Sequence, residues 1–195
     1  MFSLIYPDPI APMLPKPSAD SPGPVHSEEE IFPIVEPYGL VVGRAPRSYC
    51  HGGSFLLHPV VHLHIIDREG RVFVQKRSMS KDLFPGRWDT GVGGHVSYGE
   101  TIEEALFREA SEEIGLREFN PTFLESYVWE SEREKELVCV FAAVGHFDLN
   151  PANEEVDCGS YMDIKDMEDN FGKSIFTPNF EQELSRLAPR LLALL

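Results

Sequence analysis

The most restrictive stretch of the chain runs from Phe84 to Leu116, where a glycine-rich segment passes without a break into an acidic, amphipathic one. FPGRWDTGVGGHVSYGE puts five glycines into 17 residues, a density that calls for unusual backbone dihedrals or a close approach of backbone to something else. Thr101 to Leu116 then carries helical spacing. Leu106, Phe107, Ala110 and Ile114 make a buried side, Thr101 with Glu104 forms a capping pair, and Gly115 supplies the stop.

Acid dominates this helix. Glu100, Glu103, Glu104, Glu109, Glu112, Glu113 and Glu118 fall within 19 residues, relieved only by Arg108 and Arg117, in a chain whose 32 acidic side chains outnumber 17 lysines and arginines for a formal charge of -15. That balance argues against a bare nucleic-acid or anionic-membrane surface. A charge run usually becomes a solvated face. Here, at about 100° per residue, Glu109, Glu112 and Glu113 share an arc about 100° wide. Hard, oxygen-preferring cations such as Mg²⁺ or Mn²⁺ relieve such repulsion, and carbonyls of the preceding glycine loop offer further ligands.

The 195 residues, 42% apolar and 25% charged, suffice for one well-buried core. Residues 1–27 hold seven of the 16 prolines, which prevents regular helix and leaves no sustained strand ladder. They are expected to form a proline-rich arm, with PxxP spacing at Pro9, Pro12 and Pro15, ahead of an ordered domain over residues 28–195. IFPIVEPYGLVVGRAPRS predicts a hairpin turning near Glu36 to Gly39, with Leu40 to Val42 in its second strand. HPVVHLHIIDREGRVFVQKR predicts another, turning at Asp67 to Gly70 with alternating faces. Phe123 to Glu130 and Leu137 to Phe147 read as two more strands, followed by a polar loop at Asn150 to Glu155. Asp163 to Asn170 predicts a short helix, and Glu181 to Leu195 a longer one interrupted at Pro189. Together these describe a mixed α/β or α+β sandwich, and the fold class expected is α+β.

Cys50, Cys139 and Cys158 contain no CxxC pair, so neither a disulfide scaffold nor a thiolate zinc site is indicated and a reducing compartment fits. With no long apolar stretch and no signal-like leader, the expected location is cytoplasmic, with neither membrane nor bulk nucleic acid as partner.

GHVSYGETIEEALFREASEEIGL, residues 94–116, resembles the Nudix box: glycine, five residues, glutamate, seven residues, Arg-Glu, an apolar residue, any residue, Glu-Glu, any residue, glycine, apolar. Every fixed position matches, with Ala110 in the apolar place. The resemblance covers about residues 30 to 190 and implies a Nudix-type αβα sandwich with a mixed central sheet. It implies a pyrophosphohydrolase acting on acid anhydrides, with Mg or Mn as cofactor. Glu109, Glu112 and Glu113 are the implied metal ligands and catalytic groups, Gly93 offers its carbonyl, Arg108 orients a box carboxylate, and Glu100 ligates or orients. Diphosphate hydrolysis needs charge neutralisation on two phosphoryl groups and an in-line water, which clustered divalent ions supply. Glu109 and Glu112 both qualify to position or deprotonate that water.

Ahead of the box, Lys76, Arg77, Lys81 and Arg87 concentrate positive charge. Arg77 and Lys81 follow a strand leading to the glycine loop and are candidate phosphate contacts, against the ordinary fate of exposed charges. Trp88 and Phe84 are packing residues or walls of the same pocket.

A narrower resemblance is carried by HPVVHLHIIDREGRVFVQKRSMSKDLFPGRWDTGVGGHVSYGE, with its FPGxW stretch, and by VCVFAA downstream. It is to the branch containing isopentenyl-diphosphate isomerase and its hydrolase relatives. This implies a second metal site at His51, His58, His95, Glu134 and Glu136, whose imidazoles favour Mn²⁺ or Zn²⁺. Two departures point away from isomerisation. Gly93 stands where the isomerase is expected to carry a cysteine, and Glu109 and Glu112 are kept where its box is degraded. The sequence therefore reads as a Mg/Mn-dependent hydrolase of a nucleoside diphosphate derivative or related organic diphosphate, acting as monomer or homodimer. An isomerase-like enzyme and a non-catalytic nucleotide-binding regulatory module are the alternatives.

Overall fold

A computed structural model describes residues 2–7, 29–81, 83–151 and 156–195. The PxxP prolines of the arm and residues 152–155 of the polar loop lie outside the described residues. In chain order the elements are β1 (Ile31–Val35), β2 (Val41–Pro46), α1 (Arg47–Tyr49), an irregular turn over Cys50–Ser54, β3 (Leu57–Ile66), β4 (Arg71–Arg77), β5 (Trp88–Thr90), β6 (Val92–His95), α2 (Ile102–Ile114), β7 (Thr122–Glu130), β8 (Lys135–Val144), β9 (Val156–Asp163), α3 (Ile164–Glu168) and α4 (Pro178–Leu192). β1 and β2 make a separate two-stranded sheet. The mixed central sheet, flanked by helices, has the order β5-β4-β3-β8-β7, with β6 on β3 and β9 on β4.

The described residues divide into two compact units. One comprises Met1–Val61, His95–Ala105 and Ser126–Cys139; the other comprises His62–Gly94, Leu106–Glu125 and Val140–Leu195. In the first, β1 and β2 pair antiparallel from Ile31↔Pro46 inward, with an irregularity at Ile34/Val35. The turn closes by Gly39 N donating to Glu36 O at 2.8 Å, with Gly39 at φ +92, the left-handed region that glycine tolerates. Phe32, Ile34, Ala45 and Cys50 form one buried cluster; Val35, Val41, Leu57 and Leu137 form another.

In the second unit β4 pairs with β9 along its whole length, from Arg71↔Asp163 to Arg77↔Val156. The turn between β3 and β4 is fixed by Asp67, whose Oδ1 accepts from Arg71 N at 2.8 Å and from Glu69 N at 3.1 Å. α4 turns Phe180, Leu184, Leu187, Ala188 and Leu191 inward, the i, i+4, i+7 spacing of an amphipathic helix. Glu183 is buried with them, and both its oxygens are taken by histidines of β3: His62 Nδ1 lies 3.0 Å from Oε2 and His64 Nε2 lies 2.7 Å from Oε1.

α2 begins with the expected capping box. Thr101 Oγ1 accepts from Glu104 N at 3.1 Å and Glu104 Oε2 accepts from Thr101 N at 2.8 Å. It ends on Gly115 at φ +71, with Leu116 N reaching back to Ala110 O at 3.0 Å. Thr101→Ala is expected to lower stability by about 1 kcal/mol, a fall of roughly 2–4 °C in a circular-dichroism melt; an unchanged melt would show that the cap carries no weight.

Several expectations are corrected. β3 does not alternate between core and solvent, because all ten of its residues are buried, as in a strand covered on both faces. The glycine-rich segment is not all turn: it contains β5 and β6. β9 was not anticipated, since VDCGSYMD has no apolar periodicity and its Gly159 is there to admit the Phe73 ring, which a Cβ would overlap. α4 begins at Pro178, capped by Thr177 Oγ1 accepting from Phe180 N, rather than at Glu181. Nor does Pro189 interrupt it. Ser185, whose carbonyl loses the proline's missing donor, is exposed to water, and Ala193 N continues to Pro189 O at 3.2 Å.

Candidate active site

The first unit gathers His51, His58, His95, Glu134 and Glu136. His51 sits in the irregular turn after α1, His58 on β3, His95 at the end of β6, and Glu134 and Glu136 at the head of β8. One ring nitrogen from each histidine lies within 4.8 Å of the others, and His58, Glu134 and Glu136 converge in the same way. His51 Nε2 is 3.1 Å from His95 Nε2, His51 Nδ1 is 3.0 Å from Glu134 Oε2, and His95 Nε2 is 3.9 Å from Glu136 Oε1.

His58 places Nδ1 2.9 Å from Leu56 O, while its Nε2 is buried with no hydrogen-bond partner. Burial pushes the His58 imidazole down to about 4, further lowered by His51 and Arg47 against the opposing Leu56 and Glu134. The ring is therefore neutral at pH 7 with a lone pair to offer. Glu134 stays ionised because His51, His58 and Arg47 outweigh its burial. Three imidazoles and two carboxylates, with the orphaned His58 Nε2 among them, are a donor set suited to Mn²⁺ or Zn²⁺.

Two residues that sequence reasoning missed hold this set. Phe32 is fully buried and stacks on His95 at 4.6 Å with a 1° interplanar angle, and on His58 at 5.4 Å. Arg47, which can only donate, directs Nη1 at His95 Nδ1 (3.3 Å) and at Glu30 Oε2 (3.0 Å). No motif marks either residue; each is recognisable only once the hairpin folds beside the histidines.

The second unit carries the carboxylates of α2, and it gives them three different surroundings. Glu109 packs its carboxyl against the Cα of Gly94, where any Cβ would overlap it, and accepts from Arg108 Nη1 at 2.8 Å. Glu112 is 61% exposed and shares the same Arg108 nitrogen at 3.2 Å. Glu113 is buried, its Oε2 accepting from Gly93 N and Gln75 Nε2, both at 3.0 Å. Burial pushes Glu113 up to about 8, and Glu109 adds to the rise, while the Gly93 and Gln75 bonds and Lys81 oppose it. A cation beside it would restore the carboxylate.

Arg77 is tied to Asp89 Oδ2 (3.0 Å) and Leu83 O (3.1 Å), and Lys81 is near enough to act on Glu113. Trp88 lines a cleft of about 360 Å³ with Met162, Asp166, Met167 and Phe176, and Phe84 is covered by the Arg87 guanidinium at 5.0 Å. Burial pushes the thiols of Cys50 and Cys139 up to about 12, so neither supplies a reactive thiolate in place of the cysteine absent at Gly93.

The NUDIX domain model matches residues 56–180. The chain belongs to the Nudix family. An uncharacterised Nudix hydrolase of Streptomyces coelicolor is 32% identical over 169 residues, spanning 85% of this chain and 92% of that protein. The isopentenyl-diphosphate Delta-isomerase of Clavibacter michiganensis is 30% identical over 145 residues, spanning 71% and 73%. Among solved structures, DR0079 from Deinococcus radiodurans superposes with a TM-score of 0.70 at 23% identity, over 80% of this chain and 98% of that one, a likeness of fold. The α+β architecture is accordingly the Nudix fold, an enzyme fold of the pyrophosphohydrolase class, and it carries His/Glu clusters compatible with a divalent metal. No helix among the described residues is long and apolar enough to cross a membrane.

Proposed function

We propose that this Nudix protein is a Mg²⁺- or Mn²⁺-dependent hydrolase that cleaves the diphosphate linkage of a nucleoside diphosphate derivative or related organic diphosphate. The observation that carries the reading is the organised box: Glu113 bonded to Gly93 N, Glu109 seated on Gly94, and Arg108 holding Glu109 beside Glu112. Glu109, Glu112 and Glu113 with the Gly93 carbonyl would hold the cation, and His51, His58, His95, Glu134 and Glu136 a second one. When bound, the ion supplies charge neutralisation at the phosphoryl oxygens and acidifies a water. Glu109 or Glu112 positions that water and takes its proton, Arg108 keeps the two carboxylates apart from each other's charge, and Lys81 and Arg77 face the phosphates. The domain is residues 28–195, working in the cytoplasm as a monomer or homodimer.

An isomerase-like reaction is the second reading, favoured by the convergence of the five His and Glu side chains and by relatives named isopentenyl-diphosphate isomerase. One experiment separates the possibilities. Pure protein is incubated with ADP-ribose, nucleotide sugars, dinucleotides, nucleoside triphosphates and isopentenyl diphosphate, with Mg²⁺, Mn²⁺ or EDTA, and products are read by ³¹P and ¹H NMR. Metal-dependent release of a monophosphate is expected. An allylic diphosphate formed without phosphate release would favour isomerisation, and binding without turnover would leave a regulatory module.

A further inference from the structure

The turn that hands the chain from His95 to α2 has every backbone N–H from Val96 to Thr101 satisfied. Val96 donates to Pro59 O, Ser97 to Glu100 Oε2, Tyr98 to Ile31 O, Glu100 to Ser97 O and Thr101 to Glu104 Oε2. The remaining amide, Gly99, lies on the exposed side of the turn at φ +92, and its acceptor is the Tyr6 hydroxyl at 3.0 Å. A distant part of the sequence is thus brought in to complete the turn.

Residues 2–7 are held for that purpose by more than one contact. Ile5 N donates to Gly39 O at 2.9 Å and Val41 N to Ile5 O at 2.8 Å, a parallel bridge that adds the segment beside the hairpin turn. Phe2 and Leu4 pack on the cluster of Val35, Val41, Leu57 and Leu137, together with Tyr98. The approach is close enough that a Cβ at Gly39 would stand 2.9 Å from Ser3 O. Tyr6 then meets Tyr98 edge-on, centroids 5.6 Å apart at 82°, while Arg44 covers Tyr98 at 5.0 Å. Composition alone made this the start of a proline-rich arm; these six residues are a strap.

We propose that Tyr6 is a positioning residue of the candidate metal centre: through Gly99 it locks the turn whose two ends are His95 and Glu100, so residues 2–7 set the cation affinity of the His51–His58–His95 group. The affinity arm rests on that group being a metal site, while the clasp itself does not. Tyr6 acts through the backbone of the turn, by its bond to Gly99 N.

Two variants test this in the full chain. Tyr6→Phe removes one hydroxyl, and Ile5→Pro removes the N–H that ties the strap to Gly39 while leaving the phenol in place. Gly99 amide exchange, followed by NMR, is expected to accelerate about three- to tenfold in Tyr6→Phe, with Mn²⁺ affinity, read by electron paramagnetic resonance, falling by a similar factor at an unchanged melting temperature. Ile5→Pro is expected to reproduce both effects. Wild-type exchange at Gly99 in both variants overturns the clasp, and accelerated exchange with wild-type Mn²⁺ affinity overturns the positioning role. If the wild type binds no Mn²⁺, the histidine-centre reading fails, and Gly99 exchange alone decides the strap.

Discussion

Glu109→Gln is expected to reduce kcat by roughly 10²- to 10⁴-fold on whichever diphosphate the wild type turns over, with the melting temperature within a few degrees of wild type. The substitution keeps the shape of the side chain, so the seat against Gly94 survives and only the charge is lost. Arg108 Nη1 would still meet an oxygen at position 109 but would shift towards Glu112, its other partner at 3.2 Å. Steady-state kinetics with saturating Mn²⁺ decide the matter. Full activity in Glu109→Gln would remove this carboxylate from the chemistry, and loss of folding with loss of activity would assign it a packing role instead.

The larger effect on stability is expected at a residue far from the box in sequence. Glu183→Ala should destabilise the fold by about 3–5 kcal/mol, because it leaves His62 and His64 buried without their shared carboxylate. For a chain of this size that is a drop of roughly 6–20 °C in melting temperature. Burial alone would raise the Glu183 carboxyl, yet charge and hydrogen bonding from His62 and hydrogen bonding and charge from His64 hold it well below the usual carboxylate range. A depressed folded-state pKa contributes stability above the unfolded value, here 4.5, and that contribution fades as the pH falls below it. Wild-type chemical denaturation midpoints should therefore decline below about pH 4.5 more steeply than those of Glu183→Ala. Parallel pH profiles would show that the ion pair contributes nothing.

Much of this arrangement could be read from the sequence because it depends on local spacing. The capping pair Thr101 and Glu104, the Gly115 stop and the apolar side of α2 are all set within a few residues of one another, and the structure reproduces them except that Phe107 is half-buried while Leu106, Ala110 and Ile114 are buried. So is the hairpin turn at Asp67, whose side chain bonds the backbone two and four residues on. What could not be read depends on partners distant in sequence. His62 and His64 share one face of β3 with Val60 and Ile66, and only α4, more than a hundred residues later, supplies the carboxylate that makes them core residues. Phe32 and Arg47 have no motif, and their bearing on His95 comes from tertiary contact alone. β9 escaped for the opposite reason, since a strand whose glycine accommodates a neighbour's ring has little pattern of its own.

The seating of Glu109 on Gly94 makes two residues fifteen apart a single steric decision. The overlapping atoms belong to the far end of a flexible side chain, so a methyl group at position 94 would be accommodated by rotating the carboxylate away rather than by unfolding. Position 94 is therefore epistatic to position 109: a library selected only for folding would accept small residues there, and one selected for turnover would return glycine. The absence of a single carbon works here as a gauge that sets the carboxylate's reach.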